Sequence, residues 1–344
     1  MKGMRCQMLT FRNLLAACFL LICLVACAVE SPPPPTALPA SPTHPVVASL
    51  TPSASVAPPT STPGETVTAP QAETSTTIPS PTAEATPTKG PTPTLAPDAW
   101  QKAPVIPTSV SQRVKLIYQM GLLNGNNPRA FSKVGDCNST MPYFLGEFDI
   151  PGTYDLGSYV ALQETLDFFA GSYGRTSLAA KDGLTAHASL SVLWNTWKDC
   201  ETYETPLTCE YRIHRPMYAI ISFGTNDANG TVDFEIALRK VIEMTIGNSI
   251  VPILSTKADN AEGNNSINQI INQLAYEYEL PLWNYWLAVQ QLPDQGLRSP
   301  EHLSAGPDGF SILTGENLNF GWPVRNLTAL QILDAVRKAA ETNP

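Results

Sequence analysis

The chain has 344 residues, with 21 Lys and Arg against 30 Asp and Glu, for a formal net charge of −9. That balance supplies no basic face, which argues against nucleic acid as a partner. Cys, His and acidic residues do not recur at ligand spacing, so neither a zinc nor a calcium site is expected, and no cofactor is expected.

In chain order, the first element is a short leader. Lys2, Arg5 and Arg12 precede an apolar run of 15 residues over 14–28. A bilayer span needs about 20 residues, so this length suits the apolar region of a signal peptide. The run ends in Leu24-Val25-Ala26-Cys27, which resembles the lipobox of bacterial lipoproteins, whose cysteine thiol takes a diacylglycerol and becomes the new N-terminus. The resemblance implies a signal peptide at 1–26, lipidation at Cys27, and an extracytoplasmic protein held to the bacterial membrane, at the cell surface or in the periplasm. Ordinary cleavage after Ala28, at Ala26-Cys27-Ala28, is the other reading of the same residues.

Residues 27–98 read as a stalk. Residues 31–98 hold 18 of the chain's 32 prolines, and most of the rest is Thr, Ser and Ala. Such a stretch buries too little apolar surface to offset the entropy of ordering. Proline keeps it extended, as a semi-rigid spacer that holds the remainder clear of a membrane or cell wall. A linker of no specific use would have the same composition.

Residues 99–344 suit one domain, since no proline-rich break or repeat divides them; a monomer is expected. Residues 130–134 read as a strand that meets the glycine turn Gly135-Asp136. Residues 159–169 carry apolar side chains at helical spacing. The run MYAIISF, 217–223, reads as a strand covered on both faces. A helix over 233–245, a strand over 250–254, a helix over 267–278, a strand over 280–284 and a helix over 327–340 follow. This alternation predicts an α/β fold with a parallel sheet between helices. Cys200 and Cys209 are close in sequence and are expected to pair in an oxidising compartment, leaving Cys137 free.

Three motifs stand at expected strand ends or before the last helix: Gly135-Asp136-Cys137, Gly224-Thr225-Asn226-Asp227, and His302 within Glu301-His302-Leu303-Ser304. Ligands of parallel sheets bind beyond the carboxyl ends of the strands. In this order and spacing the motifs resemble those of the SGNH/GDSL hydrolases, esterases and lipases of flavodoxin-like three-layer α/β/α fold. The resemblance implies a nucleophile at position 137, an oxyanion donor at Asn226, a base at His302 and supporting roles for Gly135, Asp136, Gly224 and Asp227. It also implies an oxyanion glycine in a second block, for which Gly183 is the first choice, ahead of Gly171 and Gly174. Two positions depart from the family: Cys137 stands where it has serine, and Ser299 where it has the aspartate that orients the histidine.

A thiol ionises more readily than a hydroxyl, most of all at a helix N-terminus or beside an imidazolium, so a Cys–His pair needs the missing carboxylate less. The expectation is an ester hydrolase acting on acyl or acetyl esters of small molecules or polysaccharides, including envelope polymers. The alternatives are a catalytically degenerate glycan- or envelope-binding module and a thiol-dependent acyltransferase. Ser139, two residues past the turn, is expected to point elsewhere. His187 and His214 lie far from the blocks and read as surface or core residues. Trp194 with Trp197 and Trp283 with Trp286 read as core packing rather than sugar platforms. The loop Lys257-Ala258-Asp259-Asn260 is either a substrate contact or a polar turn.

Overall fold

Strand β1 spans Asn127–Gly135 and strand β2 Pro216–Ser222, and every residue of β2 is buried. Strands β3, Val251–Ser255, and β4, Leu282–Trp283, complete a wholly parallel sheet of order β1-β2-β3-β4. Val134 pairs with Ile221, Ile221 with Leu254, and Ser255 with Trp283. Burial on both faces is why MYAIISF, apart from Ser222 at the strand end, is apolar instead of alternating. Truncating Ile220, 1% exposed, to Ala would cost about 2–5 kcal/mol.

The structure, a computed structural model, describes residues 94–342. The expected signal peptide, Cys27 and nearly all of the expected stalk lie outside the described residues. Among the described residues, no helix is long and apolar enough to cross a membrane.

Helices cover both faces. Helix α1, Gln112–Leu123, was not evident from periodicity, although Ser111 caps it by accepting from Val114 N at 3.2 Å. Helix α2, Pro206–His214, was also missed; its signal is Thr205 at the cap with Pro206 in the first turn. Helices α3, Thr231–Gly247, α4, Ser266–Glu277, and α5, Gly321–Glu341, agree with the expected ones. The last begins earlier than its apolar pattern, because Pro323 falls in the first turn, where no N–H is needed. Tyr211 Oη of α2 hydrogen-bonds Thr245 Oγ1 of α3 at 2.8 Å, and α4 packs on α3. On the opposite face α1 packs on α5. The result is three layers.

Two expected elements come out differently. Residues 159–169 divide into a 3-10 segment, Gly157–Leu162, kinked at Tyr159, and an α-helix, Gln163–Phe168. The strand expected over 280–284 shortens to two residues, because Asn284 turns out of the sheet to cap the helix Tyr285–Val289.

On the outer side of β1 the chain adds one short pairing that periodicity did not reveal. Ala180 bridges Gly135 in parallel, with Gly135 N donating to Ala179 O at 3.0 Å and Lys181 N to Gly135 O at 3.2 Å. Buried Glu210 of α2 fixes this edge, accepting from Leu178 N at 2.8 Å, Arg175 Nη1 at 2.7 Å and Ser132 Oγ at 2.5 Å. From β1 the chain runs first to this edge and then back to β2 on the other side. The crevice beyond β1 and β2 is therefore the topological switch point, where such sheets bind ligands. A Cys200–Cys209 disulfide joins the preceding loop to α2, and Cys137 is a free thiol.

Candidate active site

At the end of β1 a Cβ on Gly135 would overlap both Ser139 Oγ and the Ser222 carbonyl oxygen, so only glycine lets the chain turn there against β2. Asp136 caps the following single 3-10 turn, Cys137–Ser139, by accepting from Asn138 N at 2.9 Å. Burial pushes the Asp136 carboxyl up to about 7, against the Asn138 bond and the charge of Arg325. Arg325 of α5 holds this turn to β2: Nε donates to Asn138 O at 3.0 Å and Nη2 to Ser222 Oγ at 2.7 Å. Its guanidinium lies within 4.7–4.9 Å of the rings of Phe144, Trp283 and Tyr285. Ser139 is buried beneath the turn, as expected of a residue pointing away from the cleft.

Beyond β2, Gly224 adopts φ +131°, and a Cβ there would come 2.7 Å from Ile267 Cγ2 and 3.0 Å from Lys257 Cδ. Thr225 ties the turn after Gly135-Asp136-Cys137 to the Gly224–Asp227 motif, accepting from Asn138 Nδ2 at 3.4 Å and donating to Asp259 Oδ2 at 2.8 Å. Lys257 is buried and ion-paired to Asp259 and Glu262, both at 2.6 Å, so the 257–260 loop is the polar turn that supports Thr225. Asp227 Oδ1 accepts from Ala186 N at 3.0 Å and binds the Gly224–Asp227 motif to the 183–187 segment. Burial pushes its carboxyl up to about 6. The exposed Asn226 amide donates to Leu184 O at 3.4 Å.

The edge bridge at Ala180 brings Asp182 and Gly183 just past the sheet. Gly183 has φ +77°, is exposed, and has nothing within 4 Å of where a Cβ would lie. Gly171 N and Gly174 N instead donate to the Asp149 carboxylate at 2.8 and 2.6 Å.

His302 sits on a tight loop pinned to the start of α5. Leu297 bridges Leu303, Arg298 N donates to His302 O at 2.9 Å, and Gly321 N donates to Ser304 Oγ at 2.9 Å. Ser299 Oγ lies 3.1 Å from His302 Nδ1.

Cys137 and His302 line one cleft of about 280 Å³, together with Asp182 and Arg298. Tyr143, Phe310 and Trp322 form its aromatic wall, with Tyr143 centred 4.9 Å from Phe310 and 5.6 Å from Trp322. Sequence reasoning missed this wall, whose members lie far apart in the chain. Burial first, then the charges of Asp136 and Asp182, pushes the Cys137 thiol up to about 12. The expectation of a readily ionised thiol is corrected here: a three-residue 3-10 turn brings little dipole, and the flanking groups are carboxylates. No hydrogen bond joins Sγ to the His302 ring.

Asn226 lines a neighbouring cleft of about 340 Å³, shared with His187. His187, expected far from the motifs, is thus beside the Gly224–Asp227 motif. His214 lies 3.7 Å from Glu210 on the same helix, and burial lowers its pKa. Trp283 is buried in the core, Trp286 packs on Trp100 at 4.4 Å, and Trp197 Nε1 donates to Leu178 O at 3.2 Å. Trp194 is 37% exposed, so core packing does not describe it.

No family profile and no curated protein matches the chain. In structure it is similar to a protein of Desulfitobacterium hafniense DCB-2 assigned to the G-D-S-L lipolytic family. The TM-score is 0.38 with 14% sequence identity, covering 59% of this chain and 99% of that one. The α/β assignment rests on the parallel sheet and its two helical layers.

Proposed function

We propose that the chain is a lipid-anchored, extracytoplasmic SGNH/GDSL-like hydrolase of carboxylic esters, with Cys137 as nucleophile and His302 as base. The observation that carries this reading is the shared cleft: a free thiol and an imidazole at the switch point of a parallel sheet, with Ser299 against Nδ1 of the imidazole. A thiol held protonated at neutral pH behaves as a serine hydroxyl does and needs a base during attack. His302 Nε2 takes the Sγ proton as sulfur bonds to the ester carbonyl carbon. The tetrahedral oxyanion draws on the Gly183 amide and on Asn226, which lines the neighbouring cleft and must leave its long bond to Leu184 O and turn toward Cys137 to serve. Collapse breaks the ester C–O bond, His302 returns the proton to the departing alcohol, and an acyl thioester remains. Water, deprotonated by His302, hydrolyses it and restores the thiol. The aromatic wall suits an apolar or ring face of the substrate, and a tethered enzyme suits an envelope polymer.

A glycan- or envelope-binding module is the second reading, favoured by the raised thiol pKa and by the engagement of the Asn226 amide. The test is turnover of a panel of short acyl esters by wild type, Cys137→Ala, Cys137→Ser and His302→Ala. Hydrolysis by wild type, abolished by thiol alkylation and by Cys137→Ala, is expected. No turnover by either the cysteine or the serine form sinks the enzyme reading. Anchoring is tested separately: Cys27→Ser should move the protein from the detergent to the aqueous phase.

A further inference from the structure

The second cleft, about 340 Å³, opens beside the one that holds Cys137 and shares no lining residue with it. Thr185, His187, Asn226, Asp227, Asn229 and Asp233 line it, and no Lys or Arg does. Asp227 is only 8% exposed and lines the cleft with Oδ1 held by Ala186 N, while Oδ2 has no hydrogen-bond partner. A buried acceptor left unpaired costs free energy; Oδ2 is closed to solvent, so a ligand donor returns that free energy only by displacing what covers it. Asn226, Asn229 and Asp233 are exposed, so their amides and carboxylate are open to solvent. Asp233 stands in the first turn of α3, whose amide end carries about half a positive charge. That offsets part of Asp233 and none of Asp227, so the cleft stays negative.

Two carboxylates, two primary amides, a hydroxyl and an imidazole offer both donors and acceptors, which suits a polyhydroxylated ring. The negative charge disfavours an acidic ring and favours one with an ammonium group. Between the clefts, Asp182 belongs to the first and Thr185 to the second. Gly183 falls between these two residues in the chain, exposed and with open space where a side chain would be.

We infer that the second cleft is a binding subsite for a hydroxyl-rich ring bearing a protonated amine, one unit of an amino-sugar polymer that crosses Gly183 to reach Cys137. The ring-binding claim stands by itself; the placement of an ester at Cys137 rests on the hydrolase reading above.

Calorimetry of the purified protein with three tetrasaccharides tests it: glucosamine units, N-acetylglucosamine units and galacturonic acid units. Binding should be tightest for the amine, weaker for the neutral chain and absent for the acid. Asn229→Ala and Asp233→Asn should each weaken the amine by about tenfold, the loss expected of one charge-assisted hydrogen bond. Both variants should leave turnover of p-nitrophenyl acetate unchanged. Equal affinity for all three sugars, no binding, or undiminished binding by both variants overturns the subsite. Amine-selective binding by a protein that turns over no ester upholds the subsite and removes the hydrolase reading.

Discussion

Ser299 Oγ stands 3.1 Å from Nδ1 of His302, at the place where the SGNH pattern has a carboxylate. A hydroxyl orients the ring and fixes its tautomer, but it cannot neutralise an imidazolium as a carboxylate does. Ser299→Ala should lower kcat/KM on a short ester by about tenfold, the worth of one neutral hydrogen bond at a site that must hold its geometry. Ser299→Asp should raise it. Identical rates in all three forms would reduce Ser299 to a loop contact.

The state of the Cys137 thiol is open to direct measurement. Because burial and two carboxylates hold it up to about 12, alkylation by iodoacetamide should be slow at neutral pH and quicken as pH rises. Asp182→Asn removes one of the charges and should bring that rise to lower pH. Ordinary thiol reactivity near neutrality in the wild type would contradict the electrostatics described here.

Asp136 sets a pH dependence of stability. Its carboxyl titrates at 3.8 when unfolded and at about 7 when folded. Between those values the unfolded chain binds fewer protons than the folded one, so stability falls as pH rises through that window. Asp227, held up to about 6, acts in the same direction. Urea midpoints should therefore drop from about pH 4 to about pH 7. Asp136→Asn, which still offers an oxygen to Asn138 N, should flatten the profile. A mutant profile as steep as the wild type would assign the effect elsewhere.

Arg325 connects the turn of Cys137, the end of β2 and three aromatic rings through one buried side chain. Arg325→Met fills much of its volume but strands Asn138 O and Ser222 Oγ without a donor. We expect a loss of about 2–4 kcal/mol in urea unfolding. Arg325→Lys, which cannot bridge both acceptors in one plane, should recover only part of it. A neutral Arg325→Met would mean that the rings alone hold the turn.

Legibility in the sequence followed locality. β2 could be read from MYAIISF because burial on both faces leaves a continuous apolar run. Gly135 and Gly224 could be read because steric necessity is written in a single residue. The edge segment at Ala179 and Ala180 could not, since it makes one bridge within an irregular stretch and has no period to detect. The capping signal Thr205-Pro206 was present and would have revealed α2. Asn226's bond to Leu184 O and His187's nearness to Asp227 are tertiary relationships with no local mark. So is the meeting of Tyr143, Phe310 and Trp322. The Cys137 thiol differs from its expected state for a related reason: the chain order shows a glycine turn, whereas its pKa is set by burial, by Asp136 and by Asp182, which arrives from the edge segment.

Both borders of the sheet are blunted: outside β1, Phe131 N donates to Ser172 Oγ at 3.4 Å, Phe131 O accepts from Arg175 Nη2 at 2.9 Å and Lys133 O from Ser177 Oγ at 2.5 Å, while β4 on the other side is only Leu282–Trp283. A long open border is a template on which a second chain can add its own strand and start an aggregate. Here side chains of the 172–177 segment occupy the β1 border, and β4 offers only two residues. Copies meeting at high concentration would find little ladder to extend, so crowding favours separate molecules over edge-to-edge pairing.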